Sequence, residues 1–284
     1  MLIFPLASAF DCVKIIFSLV EVLSFARIYL TPKGNYMDIR TVYFLPLIFL
    51  LALSKPAISS ESPGLRIGVG VAAGHDVFVD TDRRVDVVPL VFYRQGNFYI
   101  DGSRAGYEFY QTGAFKVAVQ LQVRREGFDP DDSEALKDFE DHDSALEAGF
   151  LFSYDWFLGQ TSFFGGFDVS SAYDGDVMRL QHAYPIHYDD FVLVPYVAAT
   201  RRDRELNVYY YGVKPEEATA RFPQFNSDDD TSYELGVNID YRLSQRWGVI
   251  GSLAYEQFHN SIADSPIVED DSSFKSLIGV TYQF

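Results

Sequence analysis

The 284-residue chain has one cysteine, Cys12, placed ahead of the part that carries the fold. A disulfide framework and cysteine-based metal or redox chemistry are thereby excluded. Basic residues are scarce, with 23 Lys and Arg against 40 Asp and Glu, which rules out a protein that grips nucleic acid through its phosphates. Removing residues 1–59 leaves 18 basic and 37 acidic side chains, so the imbalance deepens. No serine lies in a Gly-x-Ser-x-Gly elbow, and the Gly68-x-Gly70 run precedes no helical pattern, so neither a hydrolase nucleophile nor a phosphate loop is signalled.

What is present is aromatic, glycine-rich and alternating, and it begins after a leader. From Met37 the chain reads as a secretory signal peptide over 37–59. Arg40 is its positive start, Val42 to Leu53 its apolar run, and Ala57-Ile58-Ser59 before Ser60 its cleavage site. The apolar run is about 12 residues, short of the roughly 20 that a membrane helix requires. Residues 1–36 are read as an upstream extension from a start codon assigned too early, with an additional N-terminal helix as the alternative.

Beyond residue 60 the pattern has period two. Tyr233, Leu235, Val237, Ile239, Tyr241 and Leu243 share one face of a strand, while Ser232, Glu234, Gly236, Asn238, Asp240 and Arg242 share the other. The same alternation runs through 114–125, 144–156 and the final segment, where Ile278, Val280, Tyr282 and Phe284 line one face. Such segments run about 10 to 13 residues, longer than the five or six usual in a soluble sandwich and suited to a tilted strand crossing a bilayer. Aromatics gather near strand ends, as Tyr233 with Tyr241 and Trp247 with Tyr255. The expected fold is therefore an all-β antiparallel transmembrane barrel over 60–284, with a secreted β-sandwich as the competing architecture.

Connections alternate between short links at 156–160, 188–190 and 243–247 and long acidic stretches at 126–143, 204–230 and 260–273. The short links suit periplasmic turns and the long ones external loops. The acidic stretches are expected to be solvated loops. Ten strands fall near 65–75, 85–94, 114–125, 144–156, 159–171, 176–187, 190–203, 231–243, 246–259 and 274–284. Residues 97–111 must add an even number of crossings, so two short strands broken at 102–106 give about twelve, with ten as the alternative.

Several runs carry a resemblance to a known family: Tyr210-Tyr211-Gly212-Val213-Lys214-Pro215-Glu216-Glu217-Ala218, Val237 to Trp247, and Ala263-Asp264-Ser265-Pro266-Ile267-Val268. With Val88 to Arg94 and Gly106-Tyr107, they resemble the MltA-interacting protein family, MipA/OmpV, over roughly 65–284. The resemblance implies an outer-membrane scaffold, without catalytic residues or cofactors, that holds a murein lytic transglycosylase near a murein synthase. Some relatives are associated with osmotic or antibiotic response and adhesion. The implied surroundings are outer-membrane lipid and lipopolysaccharide. The closing strand resembles the signal read by the barrel-assembly machinery, carried here by Gly279, Tyr282 and Phe284, with Leu277 departing from the polar residue often found there.

Inside such a barrel the expected lumen charges are Lys116, Arg124, Glu147, Asp155, Glu234, Asp240, Arg242 and Glu256, of both signs and so expected to pair. A small polar-solute channel is the alternative use of that lumen. Pro215 is expected in the first turn of a short helix through about 221, and Asp264-Ser265-Pro266 in a turn, both as loop caps. Two weaker readings remain: a rim hydrolase using His75 or His259 with Asp76 or Asp264, and a divalent site at 129–132 or 228–230.

Overall fold

The computed structural model describes residues 64–81, 84–130 and 133–284, all within the compact unit Ser54–Phe284. The signal-peptide reading of 37–59, with Ala57, Ser59 and Ser60, and the extension 1–36 lie outside the described residues. Among the described residues the alternating segments become strands. They are β1 (Gly64–His75), β2 (Arg84–Gln95), β3 (Phe98–Asp101), β4 (Arg104–Thr112), β5 (Phe115–Arg124), β6 (Ala145–Trp156), β7 (Gly159–Asp168), β8 (Asp176–Ala183), β9 (Ile186–Tyr188), β10 (Phe191–Arg202), β11 (Asp230–Arg242), β12 (Trp247–Gln257) and β13 (Ser272–Gln283).

Neighbours pair antiparallel throughout, and β1 pairs with β13 from Arg66↔Gln283 to His75↔Phe274, which closes the sheet. The segment expected as one strand over 176–187 is interrupted after Ala183, where Pro185 has no N–H to give the ladder. Both pieces, β8 and β9, pair with β10, so they form one crossing and the barrel has twelve strands. No described helix is long and apolar enough to cross a membrane.

The apolar faces point outward. Val69, Leu235 and Ile278 are 56%, 61% and 64% exposed, values that would be costly in water but suit a lipid-facing belt. Tyr241, Trp247 and Phe284 edge this belt at the short-turn end, and Tyr233, Tyr255 and Phe274 at the long-loop end, the positions that a bilayer interface favours.

The long connection after β10 contains a helix that the alternation did not reveal, α1 (Arg204–Tyr211). Asp203 caps it, its carboxylate accepting the Leu206 N–H at 3.0 Å, and the Gly212 N–H closes it on the Val208 carbonyl at 3.1 Å. The helix expected from Pro215 does not form. Pro215 lies in a turn in which Glu217 N–H donates to the Lys214 carbonyl while its carboxylate accepts the Lys214 N–H. That reciprocal pairing satisfies the backbone locally and leaves nothing to propagate. A second, single-turn helix, α2 (Asn260–Ala263), follows β12.

Candidate functional site

The long connections are not the solvated loops that their acidity suggests. Their carboxylates, such as Glu134, Glu140 and Asp270, face outward, but the apolar residues between them turn in and meet. Phe78 from the β1–β2 connection, Phe128, Leu136 and Phe139 from β5–β6, Tyr173 from β7–β8, Leu206, Tyr210 and Tyr211 of α1, and Ile262 and Ile267 from β12–β13 form one buried cluster. It plugs the long-loop end of the barrel. Leu136, Leu206, Ile262 and Ile267 are wholly removed from solvent, worth about 1.5–3 kcal/mol each, so the plug is a small hydrophobic core and not a loose lid. Bridges Phe78↔Val268 and Thr81↔Ser133 tie the loops to one another.

His142 sits within this plug, its ring 5.0 Å from Tyr209 and 5.5 Å from Phe128. Its Nδ1 is buried with no hydrogen-bond partner among the described residues, and burial pushes its pKa below the ordinary histidine value. The Asp203 carboxyl that caps α1 is pushed up to about 6, again by burial, against the N–H donors of Leu206 and Asp176 that favour its charged form.

Beneath the plug lies a layer of buried charge spanning the lumen. Arg202 of β10 donates to Glu256 of β12 at 2.7 Å and to Glu126, beyond β5, at 3.1 Å. Arg124 pairs with both Glu126 and Glu147, and Tyr173 and Gln122 donate to Glu147 at 2.6 Å each. Ser232 completes the layer, accepting from Arg202 and donating to Glu256. Burial opposes ionisation of Glu126, but Arg124 and Arg202 beside it hold its carboxyl far below the usual range. Removing either arginine would strand an uncompensated carboxylate where water cannot reach it.

Further pairs cross the interior. Arg66 meets Asp240 at 2.5 Å across two intervening strands, and Arg179 forks onto both oxygens of Glu234 at 3.1 Å, joined by the Tyr196 hydroxyl at 2.6 Å. Lys116 pairs with Asp155 at 3.3 Å. Between these groups is a cavity of about 910 Å³, lined at the short-turn rim by Gly64, Gln283 and Phe284 and at its inner end by Leu151 and Phe164 below the plug. The barrel is thus a cup, stoppered on the loop side.

The remaining candidate residues fall elsewhere. Arg242 pairs with Asp190 at the short-turn rim, where both are more than half exposed. Pro215 is exposed on the outer surface, whereas Asp264-Ser265-Pro266 leads directly into buried Ile267, with the Ser265 hydroxyl donating to the Tyr211 carbonyl at 2.7 Å. Gly279 lies under Leu90, whose Cδ1 would be 2.4 Å from any added Cβ, so a side chain there would displace Leu90. Tyr282 stacks edge-on with Trp247 and Phe284.

Neither histidine–carboxylate pairing considered for catalysis forms. His75 contacts Asp270 at 2.7 Å and not Asp76, and His259 packs on Tyr233 and not against Asp264. In the 228–230 run, Asp229 serves Arg201 and Arg204, and Asp230 accepts the Ile262 N–H at 3.0 Å. Those oxygens are spent on loop structure. Glu126, Arg202 and Tyr173 were not singled out in the sequence; the only trace of Glu126 was its place at the head of an acid run.

A closed antiparallel barrel with a lipid-facing belt, aromatic girdles and a paired interior defines an outer-membrane β-barrel protein. Within that class the chain belongs to the MipA family, whose model, MltA-interacting protein MipA, matches residues 67–284. Relatives include outer membrane protein OmpV of Vibrio cholerae, 26% identical over 226 residues covering 76% of this chain and 84% of that one. The MltA-interacting protein of Escherichia coli K12 is 26% identical over 247 residues covering 84% and 98%. A solved outer membrane channel from Pseudomonas putida F1 aligns with a TM-score of 0.40 at 10% identity, covering 81% of this chain and all of that one, too distant to bear on transport. The relatives are outer membrane proteins of Gram-negative bacteria, and this chain is one too.

Proposed function

We propose that the protein is a non-catalytic scaffold in the outer membrane that brings a murein lytic transglycosylase and a murein synthase together on its periplasmic side. The name carried by the Escherichia coli relative supports the first partner. The observation that carries the reading is the plug: five long connections and a buried ionic layer fill the outer end, which disfavours an open diffusion pore. What remains available to the periplasm is the short-turn rim. There Phe157 and Tyr188 stand 80% and 75% exposed at turns joined to neighbouring strands, beside Leu158. We assign the docking surface to these tips. Their competing role is to anchor the barrel at the bilayer interface.

Affinity purification from solubilised envelopes tests the reading. The wild-type barrel is expected to retain a lytic transglycosylase, and Phe157→Asp with Leu158→Asp to lose it while the barrel stays folded. Absence of any murein enzyme from the intact wild-type barrel would sink the scaffold role. Discrete conductance steps in a planar bilayer would favour the channel reading, for which the polar cavity is the motivating feature.

A further inference from the structure

The outer surface of the barrel is not evenly convex. At the seam where β13 closes on β1, a furrow of about 330 Å³ lies on the lipid side, floored by Ile67, Val69 and Val280 and walled by Trp247, Tyr282 and Phe284. Its shape follows from register and side-chain size. Ile67 is opposite Tyr282 and Val69 opposite Val280, while Trp247 meets Tyr282 across the other edge of β13. Short branched side chains and tall rings therefore share one face, and the step between them is the furrow. Trp247 and Phe284 lie edge-on to Tyr282, at 5.1 and 4.9 Å. That stacking fixes the rings to one another and leaves the floor bare, with Val69 and Val280 56% and 43% exposed.

A cation stands at the mouth of the furrow, on the short-turn side. Arg246 donates from Nη1 to the Tyr282 hydroxyl at 3.1 Å, its backbone carbonyl accepts the Gln283 N–H at 2.7 Å, and its own N–H reaches the Ser244 hydroxyl at 3.3 Å. These contacts hold the guanidinium at the level of the aromatic girdle. One of its five N–H donors is used, and no carboxylate of the described residues pairs with it. Arg242, on the same rim, has Asp190. A chain with 40 acidic and 23 basic residues thus keeps an uncompensated cation where the headgroups of the periplasmic leaflet stand.

An aliphatic furrow in hydrocarbon and a free guanidinium at headgroup level call for one ligand that carries a methylene chain and an anion together. Inside a bilayer a chain gains nothing by leaving water, so its advantage in the furrow is dispersion contact with floor and walls at once. The guanidinium adds a fork that fits two phosphate oxygens. We propose that the seam binds one glycerophospholipid of the periplasmic leaflet, with an acyl chain over Ile67, Val69 and Val280 and the phosphodiester on Arg246. The furrow is continuous with the lipid belt, so the lipid enters sideways from the membrane. It lies six strands of twelve round the ring from the β6–β7 turn assigned to docking, and neither reading rests on the other.

Native mass spectrometry of the delipidated full-length protein in octyl glucoside tests this by titration with dioleoylphosphatidylglycerol and, separately, with dioleoylglycerol, which lacks the phosphate. Wild type is expected to bind one phosphatidylglycerol ahead of any further lipid and to bind the diacylglycerol about tenfold more weakly. Arg246→Gln is expected to remove that difference, and Val69→Trp, which fills the floor with another apolar group, to weaken the phospholipid about tenfold. Arg201→Gln, an equal loss of charge at the long-loop end, leaves it unchanged. Equal binding of the two lipids by wild type would overturn the site, as would undiminished binding by Val69→Trp or equal weakening by Arg201→Gln. Folding is judged by heat-modifiable mobility, and Ile67→Trp takes the place of Val69→Trp should the latter fail to fold, with the same outcomes.

Discussion

At the scale of single residues, the described structure depends most on groups that the lumen cannot leave unpaired. Arg202 answers both Glu126 and Glu256, so Arg202→Met leaves Glu126 with Arg124 alone and strands the buried Glu256 carboxylate, and is expected to cost about 3–5 kcal/mol, read as a lower thermal midpoint of the detergent-solubilised barrel. His142 supplies a pH dependence of opposite character. Its folded-state pKa lies below the unfolded value because burial disfavours the charged ring. The stability tied to the neutral ring is therefore complete above about pH 6.5 and lost as pH falls through that window. Protease cleavage within 128–139 is expected to rise on acidification from pH 7 to about 5, and His142→Phe to flatten that rise. The paired Glu126 does not interfere, because its carboxyl protonates only at far lower pH, whereas Asp203, pushed up to about 6, gains stability in the same window and opposes the rise, so Asp203→Asn is expected to steepen it.

At the scale of elements, α1 holds the plug from one side. Asp203→Ala removes its cap and is expected to cost about 0.5–2 kcal/mol. Leu206→Ala opens a void in the cluster and costs about 2–5 kcal/mol, loosening the plug while the strands keep their heat-modifiable fold. Limited proteolysis beside gel mobility separates the two. These elements also show which structure the sequence announces. Thr231 to Leu243 alternates without a break, and the strand formed is Asp230–Arg242, because a sheet with one face in lipid has only one workable register. α1 was hidden because Asn207-Val208-Tyr209-Tyr210-Tyr211 is rich in strand formers; a cap and a buried face override that preference. The plug was hidden for a different reason. Phe128, Leu136 and Phe139 stand singly among carboxylates, with no period to betray a common destination, and Arg202 finds Glu126 across 76 positions of chain. Contacts of that range leave no local pattern.

At the scale of the whole molecule, the described residues invert the polarity of a water-soluble protein: an apolar exterior, a paired interior, and a hydrophobic core displaced to the loop end. Wild-type protein is expected to pass no steady current in planar bilayers at neutral pH, and large sustained steps would show that the plug yields. The short-turn rim stays open all the same, with the cavity running from Gly64 and Phe284 up to Phe164. Small ions therefore reach Lys116 and Asp155 from the cell side alone. Electrically the hollow belongs to the periplasm, so the acidity, salt and osmolytes of that compartment, and not those of the outside world, govern the charges it holds.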